Sequence, residues 1–143
     1  MKVSSKTLYT LHFLSALAIK GRKNPVHLRE IAEEYAIPFK FLEQIAILMK
    51  TVGLVRGTRG KAGGYQLAEL PENIDLARVI KATEGEILPC ADIEGGNPIV
   101  GELLDDIFRE QREDVDRKLT GVTLAHIAEQ ARRQMEPAPM FYL

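Results

Sequence analysis

Gly53–Leu67 reads GLVRGTRGKAGGYQL and follows directly on PFKFLEQIAILMK, residues 38–50. Together the two segments predict a helix, a glycine stop and a hairpin with a basic tip. Leu42, Ile45, Leu48 and Met49 recur at helical spacing and form the expected inward face. Lys40, Glu43, Gln44 and Ile47 fall on the outward face. Gly53 suits the end of the helix. Leu54-Val55 and Tyr65-Gln66-Leu67 then read as short strands around a tip spanning Gly57–Gly64. Lys50, Arg56, Arg59 and Lys61 gather here, with no acidic residue between Glu43 and Glu69. A glycine-rich turn carrying cations is suited to approach a polyanion closely, and nucleic acid is the first partner to consider.

Upstream, Ser4 or Ser5 can cap a first helix that runs to Lys20 and stops at Gly21. Asn24-Pro25 breaks the chain. A second helix, roughly Leu28–Tyr35, has Leu28, Ile31, Ala32 and Tyr35 on one face and Glu30, Glu33 and Glu34 on the other. Ala36-Ile37-Pro38 is a short turn, and Pro38 suits the first position of the third helix. Two short helices joined this way match a helix-turn-helix, and the hairpin after them makes it winged.

Downstream, Asp75 caps a fourth helix with Leu76, Val79 and Ile80 inward and Gly85 at its end. A loop containing Cys90 leads to a long helix from about Ile99 to Leu119, its apolar face carrying Leu103, Leu104, Ile107, Phe108, Val115 and Leu119. A last helix starts at Thr123. The expected fold is mainly α with a small β-hairpin: a winged helix-turn-helix domain (1–84), a loop holding Cys90 (85–98), a dimerisation helix with a C-terminal helix (99–136), and a loosely held tail (137–143). An extra helix with a wide apolar stripe usually buries it against a copy of itself, giving a two-fold dimer suited to a palindromic site. The alternative is a helix folded back on its own domain.

Charge follows the same division. Residues 1–70 hold 11 Lys/Arg against 5 Asp/Glu, whereas residues 71–143 hold 8 against 15, so the net charge of −1 conceals a strongly polar molecule. Cys90 is the only cysteine, so no intrachain disulfide is possible. No apolar run is long enough to span a membrane, and MKVSSK lacks a secretory start. A cytoplasmic protein is expected.

On a helix in the major groove, Phe39, Lys40, Phe41, Glu43 and Gln44 lie near the end that enters. Gln44 can pair with adenine through two hydrogen bonds, Glu43 can accept from cytosine N4, and Lys40 suits a phosphate. In the wing, Arg59 and Lys61 would enter or flank the minor groove and Arg56 would meet a phosphate. Gly60, Gly63 and Gly64 let the turn stay thin beside Tyr65. The alternative for Glu43 and Gln44 is an ordinary solvated face. Gly60-Lys61 is not a phosphate-binding loop, because the G-x-x-x-x-G-K-S/T spacing is absent.

With IPFKFLEQIAILMKTVGLV, RGTRGKAGGYQLA, DLARVIKATEG and TGVTLAHIAE in this order, the chain resembles the Rrf-two family of bacterial winged-helix regulators, which includes the iron–sulfur-cluster regulator. The resemblance covers nearly the whole chain. It implies a homodimer that binds double-stranded promoter DNA, usually as a repressor, with affinity tuned by a signal read beside the dimer helix.

The departure lies in the sensor. Cluster-binding members carry three cysteines in the loop before the long helix; here the first is present as Cys90, and Ile93–Pro98 stand where the others would fall. A three-cysteine iron–sulfur site is impossible within one chain. Iron can accept imidazole or carboxylate in place of thiolate, so non-cysteine ligands remain open: His12 above all, with Cys90 and His12 drawn from different subunits, and Glu33, Glu34 and Glu94 as further candidates. Thiol-based redox sensing at Cys90 is a second reading, and an ordinary loop cysteine with a surface His12 is the third. His27 reads as a helix-start residue near DNA and His126 as structural.

A rival function is a winged-helix module that binds protein instead of DNA. An enzyme is not expected: no paired carboxylates, Ser/His/Asp arrangement or metal-spaced His/Cys set emerges.

Overall fold

The computed structural model describes residues 2–21, 23–61 and 63–136; the expected tail lies outside the described residues. The first helix, α1 (Ser5–Lys20), is capped by Ser4, whose hydroxyl accepts from the Thr7 amide, and it stops at Gly21. Phe13, Leu14, Ala16 and Leu17 make α1 the centre of the core, with α3, α4, α6 and β2 packed around it. Its buried polar side chains are satisfied, as burial requires: Thr10 donates to the Lys6 carbonyl at 2.7 Å, and Thr7 donates to Glu84 at 2.6 Å.

The helix-turn-helix consists of α2 (Leu28–Glu34) and α3 (Phe39–Thr51). Ala36 turns the chain at φ 51, a left-handed conformation that costs a non-glycine residue about 1 kcal/mol. The Ile37 amide bonds back to the Ala32 carbonyl at 2.9 Å, which fixes the turn. Pro38, expected inside the first turn of α3, is instead its N-cap, with extended ψ of 124 and no side-chain cap. Leu42, Ile45, Ala46 and Met49 are buried. Leu48 was expected inward and is only half-buried, because Ala46 lies nearer the centre of the buried arc.

In the hairpin, β1 (Val55–Thr58) pairs antiparallel with β2 (Gly64–Leu67), placing Val55 opposite Leu67 and Thr58 opposite Gly64. Pairing therefore runs further toward the tip than the apolar residues indicate. Val26 adds a third edge: it and Tyr65 exchange backbone hydrogen bonds of 2.9 and 2.8 Å. The segment before α2 is thereby stitched to the wing, fixing the angle between helix-turn-helix and hairpin.

A single 3-10 turn, Pro71–Asn73, leads into α4 (Leu76–Glu84), where Asp75 accepts from the Arg78 amide at 2.9 Å. Ala77 and Val79 are buried on α4, together with Ile74 just before it; Leu76 and Ile80, expected inward, are half-buried at the edge. Glu84 then ties α4 to the start of α1. Hydrogen bonds from Ser4 and Thr7 lower its carboxyl to about 2, well below the usual 4.5. A depressed carboxylate favours the fold above its unfolded pKa, and this contribution is lost as pH falls toward the folded value. Glu84→Gln should therefore flatten the fall in melting temperature between about pH 5 and pH 2. Superimposable pH profiles for parent and variant would contradict that role.

The long helix α5 (Pro98–Thr120) has 23 residues and buries none of them, although Asn97 caps it by accepting from the Ile99 and Val100 amides. Only its later turns approach α4, where Lys81 pairs with Asp116. After it, α6 (Leu124–Met135) returns to α1. Leu124 and Ala128 enter the same core as α1, and Arg132 donates to the Ala18 and Ile19 carbonyls, both at 2.8 Å. Those carbonyls belong to the last turn of α1, where intrahelical donors run out. By packing, the last helix belongs with the first.

Candidate nucleic-acid interface

α3 presents Lys40, Glu43, Gln44, Ile47 and Lys50 to solvent. Positions 40, 43, 44 and 47 follow the i, i+3, i+4, i+7 spacing of one helix face. The two aromatics expected beside them have other duties. Phe41 is half-buried and meets Tyr9 of α1 edge-on, with ring centroids 5.5 Å apart. Phe39 is half-buried under Arg29, whose guanidinium carbon stands 4.3 Å from the ring centroid. Phe41 thus anchors α3 to α1, and Phe39 supports a cation from α2. Ile47, 62% exposed at the middle of the face, is the side chain that the sequence placed outward without assigning it work. An apolar group there suits a thymine methyl.

The hairpin tip exposes Arg56, Arg59, Gly60 and Lys61. Gly60 has φ 99 and open space around it, so a bare, left-handed residue keeps the tip narrow. Gly63 and Gly64 have a different reason to lack side chains. A Cβ on Gly63 would strike the Thr58 carbonyl, and one on Gly64 would strike the Val26 carbonyl. These two glycines serve hairpin closure and the Val26 bridge, rather than the thinness expected from the sequence. Tyr65 packs edge-on to Phe13 at 6.1 Å and anchors the wing to the core.

Cations without carboxylate partners gather around this face. Lys20, Arg78, Lys81, Arg109, Arg117, Lys118 and Arg133 all have carboxylate partners. Among the described residues, Arg29, Lys40, Lys50, Arg56, Arg59 and Lys61 have none, and neither do Lys2, Lys6, Lys23, Arg112 and Arg132. Cations left unneutralised on one face keep their field for an external anion. His27, at the N-cap of α2, lines the cleft between this helix pair and the wing.

Cys90 is exposed in the loop after α4. Arg112 of α5 reaches back to it, donating to its Sγ at 3.2 Å and to the Leu88 carbonyl at 3.1 Å. Lys81, Glu86, Ile87 and Asp116 share with Cys90 a cleft of about 710 Å³. His12 lines neither cleft that Cys90 lines; it is exposed on α1, 6.2 Å from the Tyr35 ring. Glu34 is paired with Lys20 at 2.8 Å, and Glu33 and Glu94 are exposed. His126 completes a capping box with Thr123 at the start of α6. Among the described residues, no three His, Cys, Asp or Glu side chains gather as metal ligands. One thiol beside a guanidinium does not supply the donors of an iron–sulfur cluster within a single chain. Nor is any described helix long and apolar enough to cross a membrane.

Known proteins share this sequence pattern and fold. The sequence profile of Rrf2, described as an iron-dependent transcriptional regulator, matches residues 3–130. The helix-turn-helix transcriptional regulator CymR of Bacillus subtilis is 34% identical over 143 residues, covering 100% of both chains. IscR of Aliivibrio salmonicida is 29% identical over 89% of this chain and 77% of its own. Among solved structures, CymR, the global cysteine regulator of B. subtilis, superposes with a TM-score of 0.76 at 32% identity, covering 91% of this chain and 98% of that one. T. potens IscR gives a TM-score of 0.76 at 25% identity, with 97% and 94% covered.

Proposed function

The chain belongs to the Rrf2 family of winged-helix, DNA-binding transcriptional regulators, and on that premise we propose that it is a homodimeric repressor reading a palindromic promoter operator. The proposal places residues 38–50 in the major groove and the wing, residues 56–65, in the adjacent minor groove. The observation that carries it is the set of unpaired cations flanking the free face of α3. Lys40, Arg56, Arg59 and Lys61 supply phosphate and minor-groove contacts, while Glu43, Gln44 and Ile47 read base edges. The family is one of regulators, not enzymes.

Dimerisation is supported by α5. Ile99, Val100, Leu103, Leu104, Ile107 and Phe108 are all exposed along one side of the helix, a continuous apolar stripe of the kind that marks an interface. In this arrangement residues 1–84, buttressed by α6, read DNA, residues 85–98 form the sensing loop and α5 joins the protomers. A dimer seated on promoter DNA represses by excluding polymerase from the same site. Cys90 is where a redox signal would reach the junction between loop and dimer helix, through its contact with Arg112. No step through a cluster follows from the donors present.

Salt titration tests the DNA-binding claim. On a duplex that the protein has itself selected from a random pool, the log–log slope of affinity against salt should be about −5 or steeper, as for six or more phosphates neutralised per dimer. Salt-insensitive binding would remove the reading and favour the protein-interaction module.

A further inference from the structure

Between α2, α3 and the hairpin lies a cleft of about 660 Å³ whose lining among the described residues includes Arg29, Lys50 and Arg59 and no carboxylate. The guanidinium carbon of Arg29 stands over Phe39, 4.3 Å from the ring centroid. The cation–π contact holds the guanidinium in place without using its N–H donors, which stay available to an anion. Lys50 enters from the end of α3, with Nζ 3.9 Å from the point where a Cβ on Gly57 would stand. The ammonium thus lies alongside β1 at ordinary contact distance. No ion pair or hydrogen bond occupies Arg29, Lys50 or Arg59 among the described residues.

We propose that Arg29, standing over Phe39, and Lys50 form a seat for one DNA backbone phosphate, the phosphate that crosses between recognition helix and wing. The inference rests on the DNA reading above. If α3 occupies a major groove and the wing the neighbouring minor groove, the sugar–phosphate strand dividing those grooves must pass between them. The cleft lies at that crossing and carries the matching charge. The seat fixes register and orientation and reads no base. It also joins α2 and α3 through one anion, at the edge of the wing.

Two measurements on the full chain test the seat. Arg29→Ala should weaken binding about tenfold on the selected duplex and on unrelated duplex alike, and make the salt slope shallower by about 1.8 per dimer, one phosphate in each half-site. Arg29→Lys should keep the slope, because it keeps the charge. Phosphates of the selected duplex are then replaced one at a time by neutral methylphosphonate. A single position in each half-site should cost the parent about tenfold and cost Arg29→Ala clearly less, with Lys50 alone left facing it. An unchanged slope in Arg29→Ala, an altered sequence preference, or the absence of such a coupled position would overturn the seat while leaving the DNA reading intact. Competition by free inorganic phosphate beyond its ionic strength would also overturn it, by assigning the cleft to a small anion. A parent chain that ignores DNA would sink both. Arg29 is exposed, so its removal tests binding and not folding.

Discussion

Leu103→Asp combined with Ile107→Asp is expected to leave the chain monomeric where the parent is a dimer, and to lower operator affinity by about a thousandfold or more. In one protomer these side chains are 58% and 52% exposed, so folding of the chain does not depend on them. In a dimer they would lie in the middle of the α5 stripe, each contributing about 1.5–3 kcal/mol on burial. Aspartate removes that term and adds the cost of placing a charge against apolar surface. Even the transfer term alone, doubled by symmetry, exceeds about 4 kcal/mol, and each 1.4 kcal/mol is tenfold in affinity. Sedimentation together with DNA binding reads the result. A double variant that stays dimeric would move the interface away from α5 and leave the exposed stripe without its explanation.

Arg59→Ala combined with Lys61→Ala is expected to cost two to three orders of magnitude in DNA affinity at moderate salt. The dimer loses four cations, and the log–log salt slope should become shallower by about 3 to 4. Both side chains are exposed and unpaired at the hairpin tip, so nothing in the core answers for their loss. Arg133 makes a useful control. It is bonded to Glu129 at 2.6 Å on α6, away from the wing, and Arg133→Ala should leave the affinity unchanged. If the double wing variant bound as the parent does, the hairpin would not touch DNA.

Periodicity made the helices legible because burial within a helix is a local pattern. Ser4, Asp75 and Thr123 announce helix starts by short-range chemistry, and all three cap as their positions suggest. The long apolar stripe of α5 was equally plain, and so was the basic tip of the hairpin. What stayed hidden depends on contacts between distant residues. Nothing near Asn24-Pro25 says that Val26 will pair with Tyr65, and so the reason for Gly64 could not be read from the hairpin alone. Phe39 and Phe41 look like recognition residues until Arg29 and Tyr9 are seen against them. That α6 belongs to the core of α1 is set by Leu124 and Ala128 meeting side chains more than a hundred positions earlier. The contact between Cys90 and Arg112 likewise joins two ends of a loop and helix. Arg29 is read as part of the interface only when the cleft between helix and wing is seen, where it stands with Lys50.

Selection of duplexes by the purified protein from a random pool, followed by sequencing, addresses the central claim most directly. A dimer reading DNA with paired α3 helices and wings predicts an inverted repeat, with half-sites about one helical turn or a multiple of it apart, bound by two protomers. A lone half-site bound by one protomer, or a pool that never converges, would contradict it.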